Sequence, residues 1–328
     1  MNTLHFIIYS SFFLFFISGC SKKSPSQEKA GLSNTYQATT KKKSADPENI
    51  KNNVLALVNT TAPRNWKNTK VLNQVSSDIF RKISHAGYKC RFQNFDVRGK
   101  SYRNVVCRGG NKNGPLWVIG AHYDVYGDYP GADDNASAVA GLIEFAAVTG
   151  DLLSTMKVQV ELVAYTLEEP PFFRTENMGS AHHAAGLKKA GTTIEAMICL
   201  EMIGFFSKKN IQEVPFAPMK LLLPDHADFI AVISNPESTK TGEELSKIIN
   251  KNKTMQAVHL SIPTFVKGVD FSDHLNYWKH GYKAVMITDT AFFRNKNYHT
   301  AKDTPDTLDY NKIASIIQSL ADFFLLLS

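Results

Sequence analysis

The chain has 328 residues, 43% hydrophobic and 20% charged, enough to bury one large core or two modest ones, so an enzyme of ordinary size is allowed. Its net charge of +7 raises the question of an acidic partner, but Lys22, Lys23, Lys41, Lys42 and Lys43 all precede the expected folded part. No basic and aromatic residues interleave as a nucleic-acid surface requires, so the excess reads as a solvated tether and nucleic acid is not expected as a partner.

The first nineteen residues read as an export signal. Phe6 to Phe16 is apolar except for Tyr9, Ser10 and Ser11, short for a bilayer crossing but suited to a signal-peptide core. It runs into Ile17-Ser18-Gly19-Cys20, which resembles the bacterial lipobox. The resemblance implies that residues 1–19 are removed and that Cys20 carries acyl chains. The mature protein is then lipid-anchored in the bacterial cell envelope, facing the periplasm or exterior. A plain cleaved signal or a short anchor is the alternative, and either way the protein works outside the cytoplasm. Residues 20–46 are rich in Ser, Lys, Thr, Gln and Ala and predict a flexible linker.

Folded structure is expected over 47–328. Ile50, Val54, Leu57 and Val58 fall at helical spacing, as do Val71, Leu72, Val75, Ile79 and Ile83 before Gly87. Strand-like runs follow at Tyr88–Val97, Tyr102–Cys107, Leu116–Gly120, Val158–Tyr165, Ala196–Ile203, Phe229–Ile233 and Ala284–Thr288. Helical stretches lie among them at Ala136–Val148, Met178–Lys189, Gly242–Asn250, Asp273–Lys279 and Lys312–Leu327. The uninterrupted apolar runs of Leu116–Ile119 and Val285–Ile287 suit central strands covered on both faces. Together these predict one α/β domain whose mixed, mostly parallel sheet is flanked by helices and opened by an antiparallel hairpin. A tight turn at Arg98-Gly99 would set Cys90 opposite Cys107, where an oxidising compartment invites a disulfide. Cys199, inside an apolar strand, reads as a core residue.

Metal-binding side chains recur where these strands end. The motifs are His122-Tyr123-Asp124, Gly131-Ala132-Asp133-Asp134-Asn135, Leu167-Glu168-Glu169, Cys199-Leu200-Glu201-Met202 and Tyr298-His299-Thr300. Imidazoles and carboxylates without thiolate suit zinc, and two metals sharing a carboxylate need five protein ligands, here His122, Asp133, Glu169, Glu201 and His299. The acids after Gly131 serve both as a metal bridge and as favourable charge at a helix start, the bland alternative being capping by Asp134 or Asn135. Adjacent Glu168 and Glu169 are costly to hold together without a cation. His182 and His183 suggest a helix with one buried, hydrogen-bonded histidine. His274 opens a helix that borders the expected pocket, and Asp303-Thr304-Pro305-Asp306 suggests turn chemistry positioning the last helix.

This ordered set, from about Asn104 to Tyr310, resembles the M28 family of zinc metallopeptidases, with Glu168-Glu169-Pro170-Pro171-Phe172-Phe173 similar to a bacterial branch. The resemblance implies that His122 and Glu201 bind one zinc, Glu169 and His299 the other, and Asp133 bridges them. It makes Glu168 the general base, Asp124 the acid that orients His122, and Tyr298 a phenol that helps hold the oxyanion. Glu201 stands where the family more often has Asp, and Phe271 where many relatives carry Arg. The implied activity is di-zinc aminopeptidase hydrolysis of peptides with a free N-terminus. A glutaminyl-peptide cyclotransferase, which shares the fold and binds one zinc, is the alternative enzyme, and a non-catalytic binding domain is a third reading. Tyr298 in place of the Trp of such cyclases, Asn135 after the acid pair and the full ligand set favour hydrolysis.

Overall fold

The computed structural model describes residues 43–215 and 217–327. The proposed signal, Cys20 and the linker up to residue 42 lie outside the described residues. Helix α1 (Pro47–Val58) starts where Asp46 accepts a hydrogen bond from Glu48 N at 2.9 Å and Pro47 occupies the first turn, where its missing N–H is harmless. Helix α2 (Thr69–His85) follows, burying Val71, Leu72, Val75, Ile79 and Ile83 along one face.

Eight strands form one sheet: β1 (Lys89–Val97), β2 (Lys100–Gly110), β3 (Leu116–His122), β4 (Gln159–Tyr165), β5 (Ala196–Glu201), β6 (Phe229–Ser234), β7 (Gln256–Ser261) and β8 (Ala284–Thr288). Their order is β1-β2-β4-β3-β5-β8-β6-β7. Strands β4, β3, β5 and β8 run parallel at the centre, while β1–β2, β2–β4 and β6–β8 pair antiparallel. Val97 pairs with Lys100, so Arg98 and Gly99 alone make the hairpin turn, both at positive φ (50° and 73°), as such two-residue turns require. The same register sets Cys90 against Cys107, and the two are joined as a disulfide.

Alternation along the strands divides the core in two. Trp117, Ile119 and Ala121 of β3, with Ile198 and Leu200 of β5, face α1, α2, α3 (Ala138–Thr149), α5 (Thr239–Lys251) and α7 (Tyr310–Leu326). Val118, Met197, Cys199 and Met286 face α4 (Gly179–Lys189) and α6 (His274–Lys279). Helix α7 is capped by Asp309, which accepts from Lys312 N at 3.1 Å; the turn at Asp303–Asp306 does not cap it but meets its first residue, Tyr310, whose hydroxyl donates to Pro305 O at 2.7 Å. Strand β7 was not foreseen. It lies at the sheet edge with both ends exposed, and its short Gln256–Ser261 segment shows no apolar run.

Candidate metal centre

The side chains of the site come from the carboxyl ends of the central strands and from the segments that follow them, the edge where parallel sheets open a crevice. His122 is the last residue of β3 and Glu201 the last of β5, while Glu168 and Glu169 follow β4 on the other side of β3. Asp134 lies in the helical turn Ala132–Ser137, and His299 in the segment after β8. Leu167, Met202 and His299 all take positive φ (59°, 45° and 56°). Left-handed backbone is disfavoured for such residues, and at or beside these side chains it marks a site held by its surroundings against local preference.

The carboxylate of Asp134 stands between the two imidazoles. His122 Nε2 lies 3.3 Å from Asp134 Oδ1 and 3.4 Å from Glu201 Oε2. His299 Nε2 lies 3.1 Å from Asp134 Oδ2 and 3.3 Å from Glu169 Oε2. Three sets, His122, Asp134, Glu201, then His122, Glu168, Glu169, then Asp134, Glu169, His299, each bring their ligand atoms within 4.8 Å of one another. Glu168 Oε2 stands 3.8 Å from His122 Nε2.

The expectation that Asp133 joins the cluster is corrected: Asp134, not Asp133, lies beside both imidazoles. Asp133 is fully buried and turned away: its carboxylate accepts from Gly204 N at 3.0 Å and Asn295 Nδ2 at 2.8 Å, and it shares a hydrogen bond with Asp289. Burial, then the charge of Asp289, pushes Asp133 well above the usual carboxylate range. The other expected residues converge. Asp124 receives the backbone N–H groups of Glu168 and Glu169, both at 3.2 Å, and its Oδ1 lies 3.6 Å from His122 Nδ1, which sits nearer the Asp124 carbonyl at 3.2 Å. Tyr298 stacks on His299 with ring centroids 3.7 Å apart and lines the adjoining cavity.

The donor set fits metal binding. Burial raises Glu169 to about 8, assisted by the charge of Asp134, and burial with the charges of Glu169 and Glu201 raises Glu168 well above its ordinary value. Burial alone would lower His122, but Glu201 and Glu168 outweigh it and hold the imidazole well above its ordinary value. Glu169 Oε1 is buried without a hydrogen-bond partner. Carboxylates held this close and this dry call for a cation.

Several supports escaped the sequence reading. Ser272 Oγ donates to Glu201 Oε2 at 2.6 Å, and Asn135 Nδ2 adds a contact at 3.2 Å, fixing a glutamate one methylene longer than the family norm. Asp303 accepts from the N–H groups of Asp133 and Asp134 at 2.8 and 3.1 Å. Buried Arg64 reaches the carbonyls of Leu57, Tyr123, Pro130 and Gly131, clamping the loop before Asp134. Gly131, at φ 61°, is required there, because a Cβ would come within 2.3 Å of Asp134 O. These contacts span 66 residues or more in several cases and leave no local signature. His274 does not reach the ligands: it is buried, bonded to Val269 O at 2.9 Å and lowered by burial to about 4. His183 is the buried, hydrogen-bonded histidine of its pair.

Beside Glu201 opens an apolar cavity of about 90 Å³, walled by Met219, Ile233, Leu260, Phe271, Met286 and Phe292 among others. Its volume is of the order of one side chain, and Glu201 is part of its wall.

Comparison with known proteins gives the family and the fold. A protein of Escherichia coli K12, described as uncharacterized protein YfbL, is 41% identical over 285 residues, covering 84% of this chain and 87% of its own. A probable leucine aminopeptidase of Trichophyton verrucosum is 24% identical over 250 residues, 72% of this chain and 59% of the fungal one. Among solved structures, the Legionella pneumophila LapA aminopeptidase superimposes with a TM-score of 0.66 at 19% identity, covering 86% of this chain and 71% of its own. A Porphyromonas gingivalis glutaminyl cyclase does so at 0.67 and 16%, covering 87% and 100%. Both share the fold. The profile of peptidase family M28 matches residues 104–324, and this chain belongs to that family.

Proposed function

We propose that this protein is a di-zinc aminopeptidase that removes N-terminal residues from peptides. The observation that carries the reading is Asp134, whose two oxygens face His122 and His299 separately, beside a cavity sized for one side chain and bordered by Glu201. Zinc held by His122, Asp134 and Glu201, and by Asp134, Glu169 and His299, would supply Lewis acidity for water and for the peptide carbonyl. Glu168, outside both of those sets, takes the proton of the attacking water and returns it to the leaving amine. Tyr298 turns its phenol toward the developing oxyanion, and burial, with the surrounding acids, keeps that phenol protonated. Glu201 and Glu168 are the acids placed to hold the free α-amine, and Asp124 fixes both His122 and the Glu168-Glu169 backbone.

Placement in the bacterial envelope, through a lipid on Cys20, belongs to the same proposal. The Cys90–Cys107 disulfide supports an oxidising compartment. Among the described residues no helix is long and apolar enough to cross a membrane, so an anchor would come from the N-terminal segment.

The experiment is metal analysis of the purified mature protein, with amino-acid release measured from N-terminally free and N-acetylated peptides. About two zinc ions per chain and cleavage of free peptides alone are expected. One zinc, uncut peptides and conversion of N-terminal glutamine to pyroglutamate would replace this reading with that of a cyclase.

A further inference from the structure

The imidazole of His299 is sandwiched. Tyr298 stacks on it at 3.7 Å and 16°, Tyr126 at 4.0 Å and 7°, and two rings this close and this parallel must take opposite faces. Tyr298 lines the apolar cavity. Tyr126 therefore lies on the far side of His299 from that cavity, and the ring of Tyr129 lies beside it, centroids 6.1 Å apart and planes inclined at 28°. Both tyrosines are exposed large rings, at 36% and 37% of their surface. With Gly131, Asp134, His299 and Asp303 they line a small crevice that opens directly on the shared carboxylate.

The loop that carries them is pre-organised. Arg64 holds its two ends through the carbonyls of Tyr123, Pro130 and Gly131, and Asn65 Nδ2 donates to Gly127 O and, at 2.9 Å, to Asp128 Oδ1. A surface fixed in this way loses little ordering entropy when a ligand settles on it.

Resting on the aminopeptidase reading, we propose that Tyr126 and Tyr129 form the subsite for the second residue of the substrate and select an aromatic side chain there. Glu201 borders the cavity, whereas Asp134 and His299 border the crevice. A peptide with its first side chain in the cavity and its scissile carbonyl over Asp134 must lay its next residue past His299, onto Tyr126 and Tyr129. Offset stacking on exposed rings favours a flat partner over a small one.

The test compares kcat/KM for leucine release from Leu-Phe-Gly and Leu-Gly-Gly by the zinc-loaded mature protein, its Tyr129→Ala variant and its Tyr129→Phe variant. Tyr129 is chosen because Tyr126 touches His299. The wild type should favour Leu-Phe-Gly by roughly threefold to tenfold, the range that aromatic stacking supplies. Tyr129→Ala should bring the ratio close to one, chiefly through KM, and Tyr129→Phe should keep it. A wild type with no preference, or a preference that Tyr129→Ala leaves unmoved, overturns the subsite while peptide cleavage stands. No leucine release from either peptide by the wild type overturns the aminopeptidase reading and the subsite with it.

Discussion

Asp133 and Asp134 are adjacent in sequence and opposite in destination. Asp133 is held by Asn295 Nδ2 at 2.8 Å, while Asp134 stands 3.1 Å from His299 Nε2 and 3.3 Å from His122 Nε2. The turn places one acid under the site and the other in it, which separates two substitutions that look alike. Asp134→Asn should weaken metal binding in both clusters together and abolish most turnover. Asp133→Asn should instead lower stability, on the order of 1 to 3 kcal/mol for a disturbed buried hydrogen-bond group. Metal content after dialysis and urea unfolding of each variant check this; joint metal loss in Asp133→Asn alone would reverse the assignment.

Glu168→Gln deletes a proton carrier and not a member of either Asp134 set. Bound metal should be retained while kcat falls on the order of 10²- to 10⁴-fold. A fully active variant with its metal in place would rule out Glu168 as the base.

Ser272 acts through Glu201, to which it donates at 2.6 Å. Ser272→Ala should weaken metal affinity on the order of 10- to 100-fold, as the loss of a residue that orients a ligand typically does. Competition with a chelator reads the affinity, and Ser272→Thr, which keeps the hydroxyl, should recover much of it. An alanine variant as tight as the wild type would leave Ser272 without a positioning role.

Glu161 reports acid stability far from the metal ligands. Burial would raise it, but His183 Nε2 at 3.2 Å and Arg108 outweigh burial and bring it from 4.5 to about 2. Because the folded value is depressed, the stabilisation is complete above about pH 4.5 and is lost as pH falls through about 2. Its size is on the order of 3 kcal/mol. The stability gap between the wild type and Glu161→Gln should be flat above pH 5 and close below it; urea midpoints across that range measure it, and a pH-independent gap would contradict the linkage.

Cys20→Ser should release the protein from the membrane fraction or stall its processing, with the activity of the soluble domain intact. Fractionation with a lipoprotein-signal inhibitor checks this, and unchanged membrane association would count against lipidation.

The periodicity of the chain was enough to specify an α/β domain with buried central strands, because a strand covered on both faces must be apolar throughout, as Leu116–Ile119 and Val285–Ile287 are. It also located the hairpin and the cysteine pair, since a two-residue turn at Arg98-Gly99 leaves a single register. Edge strand β7, with one exposed residue at each end and no apolar run, carried no such mark. The ligand motifs were legible because strand ends and paired acids are local features. Which of Asp133 and Asp134 enters the cluster was not, because the choice depends on non-helical φ and ψ at Asp134 and Asn135 and on contacts from Asp303 and Asn295, far along the chain. Arg64, Ser272 and Tyr126 likewise acquire their roles only when distant segments meet, since burial and hydrogen-bond satisfaction are properties of the packed whole.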